Sequence, residues 1–230
     1  KAATSANGNV IIGDAAVEIG VLTGNDNVVI GKLAGQDMTS AQHSVVIGMD
    51  AGKQLTTAAE NTLIGSNAGA ALTTGGSNIF IGRESGDGHD AETHNLGIGS
   101  SALGGAINGG EKNVAVGNFS LDALTTADKI TAVGYEAGSG HTTGANCVFI
   151  GYQAGLANTS GASIVAIGAN AYDLADTESN NIAIGNDAMH GSVAGGEFNV
   201  AIGTAALDAL TSGDENVAVG YQAGSGITTG

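Results

Sequence analysis

The residues best equipped for chemistry lie in one short loop, Gly-Asp-Gly-His-Asp-Ala-Glu-Thr-His over 86–94, which sets Asp87, His89, Asp90, Glu92 and His94 close together. Imidazole and carboxylate donors at this density suit a divalent cation such as calcium. These five are the candidate metal ligands, although their spacings match no defined metal motif and a solvated loop is the competing reading. Asp173, Asp176 and Glu178 form a second acidic group, off the calcium-loop consensus. His43, His141 and His190 stand apart from any Ser or Cys nucleophile pattern. The glycines are not followed by Gly-Lys-Ser/Thr, so no phosphate loop is read. Beyond that cation no cofactor is expected, and the chain is not expected to be an enzyme.

Tyr135, Tyr152 and Tyr221 occupy one recurring position, where their rings could lie against sugars or close a corner of the fold. The lone Cys147 rules out an internal disulfide framework. With 22 acidic against six basic residues, the net charge is −16. Such a surface repels phosphate backbones and anionic membranes, so no nucleic-acid partner is expected. Apolar runs stay short of a membrane span, and the N-terminal stretch lacks a signal-peptide core.

The elements that must position these residues are repeats. An aliphatic–Gly pair recurs at Gly13, Gly31, Gly48, Gly65, Gly82, Gly99, Gly117, Gly134, Gly151, Gly168, Gly185, Gly203 and Gly220, here called the anchor glycines. Their spacing is 17 residues, with three steps of 18 that recur every 86 residues. Offset by 86, residues 113–144 and 199–230 agree at 21 of 32 positions. Gly makes up 40 of 230 residues, Pro is absent and aromatics are 3%. The core must therefore be built of small aliphatic side chains in an architecture with many tight turns.

Aligning the coils on the anchor gives columns. One residue before it is Ile or Val in every coil; two before is apolar or Gly; three before is aliphatic except for Thr62 and Thr131. Four before is Asn in nine coils, among them Asn27, Asn61, Asn78, Asn113, Asn199 and Asn216. Three after is Ala or Ser, and Thr-Thr or Thr-Ser follows at eight and nine after in eight coils. Strong β formers between Gly and Asn read as strands bounded by turns. A 17-residue coil cannot bury its own face and must stack on its neighbours. The chain is read as an all-β, parallel β-solenoid of about 13 coils spanning 1–230, a rod of about 60 Å at ~4.8 Å per coil. The Asn column forms either a ladder of side-chain amides along the stack or a set of left-handed turn residues. Ile150 and Ile167 are assigned to the same structural ladder.

Successive strand residues face opposite ways, and here both faces are apolar. A strand apolar on both sides is buried on both sides. One face packs within the coil and the other meets another copy of the chain, which implies a homotrimer, intertwined or side by side. Either column can be the inward one at this stage.

The strings Asn-Val-Ala-Val-Gly-Tyr-Gln-Ala-Gly (216–224) and Val-Phe-Ile-Gly-Tyr-Gln-Ala-Gly (148–155) resemble the Ala-Ile-Gly-Tyr-Gln-Ala repeats of bacteriophage tail fibres and bacterial surface proteins. They are also similar to the shorter head repeats of trimeric autotransporter adhesins. The resemblance runs from about Asn9 to Gly230. It implies an elongated extracellular trimeric shaft, on a virion or a bacterial surface, which projects an attachment function towards host glycans or receptors through neighbouring domains. The chain stops inside a repeat, as a fragment of a longer fibre would. The alternative is a solenoid that itself binds glycans or ice, and the less favoured one is a polysaccharide-cleaving β-solenoid, which would need paired carboxylates in a cleft.

The column assignment predicts that Ile150→Asp or Ile167→Asp breaks the stack, because an unpaired buried carboxylate costs several kcal/mol. Loss of the folded state by circular dichroism is the expected outcome.

Overall fold

The computed structural model describes residues 8–18 and 22–229. The chain divides into two compact units, Lys1–Asn113 and Val114–Gly230. Among the described residues the first unit holds six three-residue strands, Val10–Ile12 to Leu96–Ile98, and the second holds seven, Val114–Val116 to Val217–Val219. Within each unit every strand pairs in parallel with those of the adjacent coils, with like columns in register. Val28, Val29 and Ile30 lie on Val45, Val46 and Ile47, and Val165, Ala166 and Ile167 lie on Ile182, Ala183 and Ile184. Both units are thus parallel β-solenoids.

Pairing continues around the rest of each coil. In the coil anchored at Gly151, that glycine's N–H donates to the Val133 carbonyl (2.9 Å), Gln153 N–H to Tyr135 (2.9 Å) and Gly155 N–H to Ala171 (2.9 Å). The chain closes each circuit with left-handed residues at two and four after the anchor and five before the next one: Gln153 (φ 54°), Gly155 (φ 67°) and Ser163 (φ 58°) here. A left-handed non-Gly residue costs roughly 1–2 kcal/mol, so each coil stores local strain that stacking must offset.

The anchor itself admits no other residue. Gly151 sits at φ 140°, and a Cβ there would lie under 3.0 Å from the carbonyl oxygen of Gly168 in the next coil. The same holds within each unit from Gly13 to Gly82 and from Gly117 to Gly203. Gly220 shares the backbone conformation (φ 128°), but a Cβ there would meet nothing closer than 4.0 Å.

The middle residue of each strand points into the coil. Val29, Val46, Leu63, Phe80, Ala115, Ala132, Phe149, Ala166, Ala183 and Ala201 are all fully buried. Size at this position trades against size four after the anchor. Phe80 and Phe149 accompany Gly86 and Gly155, where a Cβ would collide with the phenyl ring. Gly97, Ala115, Ala166, Ala183 and Ala201 accompany Leu103, Leu121, Tyr172, Met189 and Leu207, all buried. Close packing explains the exchange, since a narrow core has room for one large group at this level; the coil of Ala132 and Gly138 holds neither, because the Phe149 ring of the next coil lies 2.7 Å from where a Gly138 Cβ would stand.

The flanking strand residues face outwards. Ile150 is 37% exposed and Ile167 is partly exposed, so neither belongs to the interior of the coil. The expectation that an Asp there breaks the stack is corrected accordingly, since its carboxylate reaches water across the outer face. The inward column is the middle one, and Ala166→Asp is the substitution that strands a charge.

Ala166→Asp should therefore abolish the cooperative thermal transition, whereas Ile150→Asp should retain it. Gly151→Ala should cost about 3 kcal/mol or more, through strain plus collision, in chemical denaturation.

Candidate functional site

The five candidate ligands do not converge. His89 turns into the core, where it packs against Phe80 at a 4.7 Å centroid distance, and both its ring nitrogens are buried without a hydrogen-bond partner. Asp90 accepts from the Thr73 hydroxyl. His94 is exposed, with Nδ1 2.9 Å from the Thr93 hydroxyl. Asp87 is half-buried, and burial raises its carboxyl above the usual range, with the Glu84 charge adding to the effect. Among the described residues no three His, Cys, Asp or Glu side chains are placed to share a metal ion. The sequence clustered these residues, but the coil sends neighbours to opposite sides of its wall.

Glu92 has a different task. It is buried, and one carboxylate oxygen accepts from the backbone N–H groups of Asp90 (2.8 Å) and Ala91 (3.2 Å). The other accepts from Gly109 N–H (2.9 Å) in the following coil. That coil, from Gly99 to Gly117, is one of the 18-residue steps, and Gly109 (φ 103°) bulges from it. Glu178, 86 residues on, repeats the arrangement: it accepts from Asp176 (3.2 Å), Thr177 (3.1 Å) and Gly195 (2.9 Å, φ 101°). A buried glutamate thus receives the backbone donors that the extra residue displaces from the regular ladder. The signal was in the sequence, as Glu92 and Glu178 precede two of the three longer steps in a column otherwise held by Ala or Gly.

The Asn column is a side-chain ladder. Asn61 Oδ1 accepts from Asn78 N–H (2.9 Å), Asn78 Oδ1 from Asn95 N–H (2.9 Å) and Asn95 Oδ1 from Asn113 N–H (3.0 Å). Each of these amides also donates to a carbonyl of the next coil, as Asn61 does to Gly75 (3.0 Å) and Asn78 to Glu92 (2.8 Å). Asn27 joins through Ser44 and then Asn61. In the second unit Asn181, Asn199 and Asn216 repeat the pattern. The left-handed position belongs to the residue before each Asn, such as Glu60, Ser77 and His94. Ile130, Cys147 and Ile164 replace Asn with buried apolar groups.

A second ladder runs along the Thr pairs. The first hydroxyl of each donates to the equivalent carbonyl one coil on: Thr39 to Thr56 (3.1 Å), Thr56 to Thr73 (3.0 Å), Thr125 to Thr142 (2.9 Å) and Thr142 to Thr159 (2.7 Å). His141 lies in the core with Nδ1 2.8 Å from Asn158 Oδ1, and His190 Nδ1 lies 2.6 Å from the buried Asp173 carboxylate. Burial raises the Asp173 carboxyl and His190 opposes that. Asp176 takes the Thr159 hydroxyl (2.5 Å), so Asp173, Asp176 and Glu178 each serve a different neighbour.

On the outer surface, Tyr135 and Tyr152 stack at 5.7 Å with planes 10° apart, and the edge of Phe119 meets Tyr135 at 6.0 Å. Among the described residues no helix is long and apolar enough to cross a membrane. The chain matches no known protein-family model, no curated protein and no solved structure.

Two outcomes follow. Burial lowers the His89 pKa from 6.5 to about 4. Protonation therefore opposes folding: stability should fall as pH drops from 6.5, level off below 4, and decline by about 3 kcal/mol in all. His89→Leu should remove that slope in melts recorded against pH. Glu178→Ala leaves buried donors unmet and should cost about 2–4 kcal/mol, with Glu178→Gln losing less.

Proposed function

We propose that this chain is the structural shaft of a homotrimeric fibre, of the kind that tail fibres and surface adhesins use to carry an attachment function outwards. One observation carries the reading: each unit presents, on the outer face of its sheet, two parallel apolar columns that its own chain leaves partly exposed. Of the 26 positions one and three before the 13 anchors, all but Thr62 and Thr131 are Val, Ile or Leu. None of the protein's 22 acidic or six basic residues falls there. Ile12 (58%), Ile79 (40%), Ile98 (36%) and Ile202 (37%) lie open to solvent in the single chain. A regular apolar stripe on an otherwise acidic surface is the mark of a covered face.

The occupant is another copy. A rotation axis parallel to the stack lets the column before the anchor on one copy meet the outer column of the next, coil for coil, so one repeat solves every level of the contact. Three copies is the number that the tail-fibre and adhesin resemblance implies. An ice-binding face is the weaker alternative, because the first hydroxyl of each Thr pair is spent on the next coil's carbonyl.

Light scattering on the purified chain should give three times 22.2 kDa. The double variant Ile150→Asp, Ile167→Asp should fall to the mass of one chain with its circular dichroism unchanged. A wild-type mass of one chain, or a variant mass equal to wild type, would contradict the reading.

A further inference from the structure

The geometry points to a carbohydrate-binding notch over Ala169, on the outer surface of the second unit, independent of the fibre reading. The column just after the anchor reads Tyr135, Tyr152, Ala169 and Asn186 in four successive coils. Tyr135 and Tyr152 are 42% and 51% exposed, yet they are ordered against each other as a parallel pair. Beside the pair, Gln153 Nε2 donates to the Glu136 carboxylate at 2.6 Å. One face of Tyr152 is occupied by Tyr135, so its other face looks towards the coil of Ala169. There the side chain is a single methyl, too small to cover a phenol ring.

Beyond that gap the wall is Asn186, whose Nδ2 donates to the Ala169 carbonyl at 3.1 Å and which is itself exposed. Beside it, Asn170 Nδ2 bonds Asp187 Oδ1 at 3.0 Å, leaving amide and carboxylate groups with spare hydrogen-bonding capacity along the rim. The notch is one missing side chain wide: the backbone levels of Tyr152 and Asn186 are two coil steps, about 9–10 Å, apart at ~4.8 Å per coil, and the Asn186 amide leans back over the Ala169 level to form its far side. That spacing accepts a flat, amphipathic ring. A pyranose fits: its apolar face covers the Tyr152 ring, and its hydroxyls meet Asn186, Asn170 and Asp187. A nucleobase would fit the ring but brings phosphates that the −16 charge repels. By the same charge, the sugar is neutral rather than acidic. Tyr221, 75% exposed at the same column position, lacks such a stacked partner and serves as the internal contrast.

The test is calorimetric titration of the whole chain with cellotetraose, maltotetraose and chitotetraose, and with tetragalacturonate as the acidic comparison. Binding is expected for at least one neutral tetrasaccharide, weakened at least tenfold for tetragalacturonate. Tyr152→Ala, which removes the platform, and Ala169→Leu, which fills the notch, should each weaken it at least tenfold with circular dichroism unchanged. Tyr221→Ala should leave it unaltered. Absence of binding to all three neutral sugars, or binding that survives Ala169→Leu, would overturn the assignment, as would equally tight tetragalacturonate binding.

Discussion

Coil rests on coil at a separation that glycine alone allows. At the anchors from Gly13 to Gly82 and from Gly117 to Gly203 the backbone takes a φ near 140°, and the carbonyl of the next anchor occupies the space where a Cβ would stand. Because the approach is this close, adjacent coils exchange backbone hydrogen bonds at the strand and at the corners alike. Those bonds hold left-handed residues such as Leu33, Leu121 and Gln153 in place against their own preference. The periodic glycine is thus the condition for every other column to stay in register, since a slip of one residue would set a side chain against the backbone of the next coil.

The interior is too narrow for a conventional core, and polar groups do part of its work. The Asn ladder satisfies turn donors and carbonyls deep in the stack, and the Thr hydroxyls add a second rail nearer the surface. Where the repeat lengthens by a residue, Glu92 and Glu178 collect the displaced backbone donors. His89 is the exception, a titratable ring in a Leu position with no partner. Buried polar groups stabilise when fully bonded and destabilise when not, and this chain contains both cases.

Much of this was legible in the amino-acid order. The 17-residue period, the parallel stack and the Asn column follow from the positions of Gly, Ile and Asn. Which strand face points inwards was not read from the sequence, because both faces are apolar and Val, Ile and Leu occur on each; only the fold places Phe149 inside and Ile150 outside. The clue that existed was the exchange of bulk between the middle strand residue and the fourth after the anchor, as in Phe80 with Gly86 against Ala166 with Tyr172. The loop at 87–94 misled for a physical reason. Proximity along a chain brings side chains together only if the backbone turns them to one side, and this one turns His89 inwards and Asp90 outwards.

The outer columns connect fold to function: a chain with 22 acidic residues keeps them free of charge along both units. The most direct test is whether that face is dry in solution, read from isoleucine methyl resonances in the presence of a soluble paramagnetic chelate. Association through the outer columns predicts that Ile47, Ile64, Ile167 and Ile184 are shielded as well as the buried Ile164. Broadening of those four to the level of an exposed methyl such as Ile227, with Ile164 untouched, would contradict it.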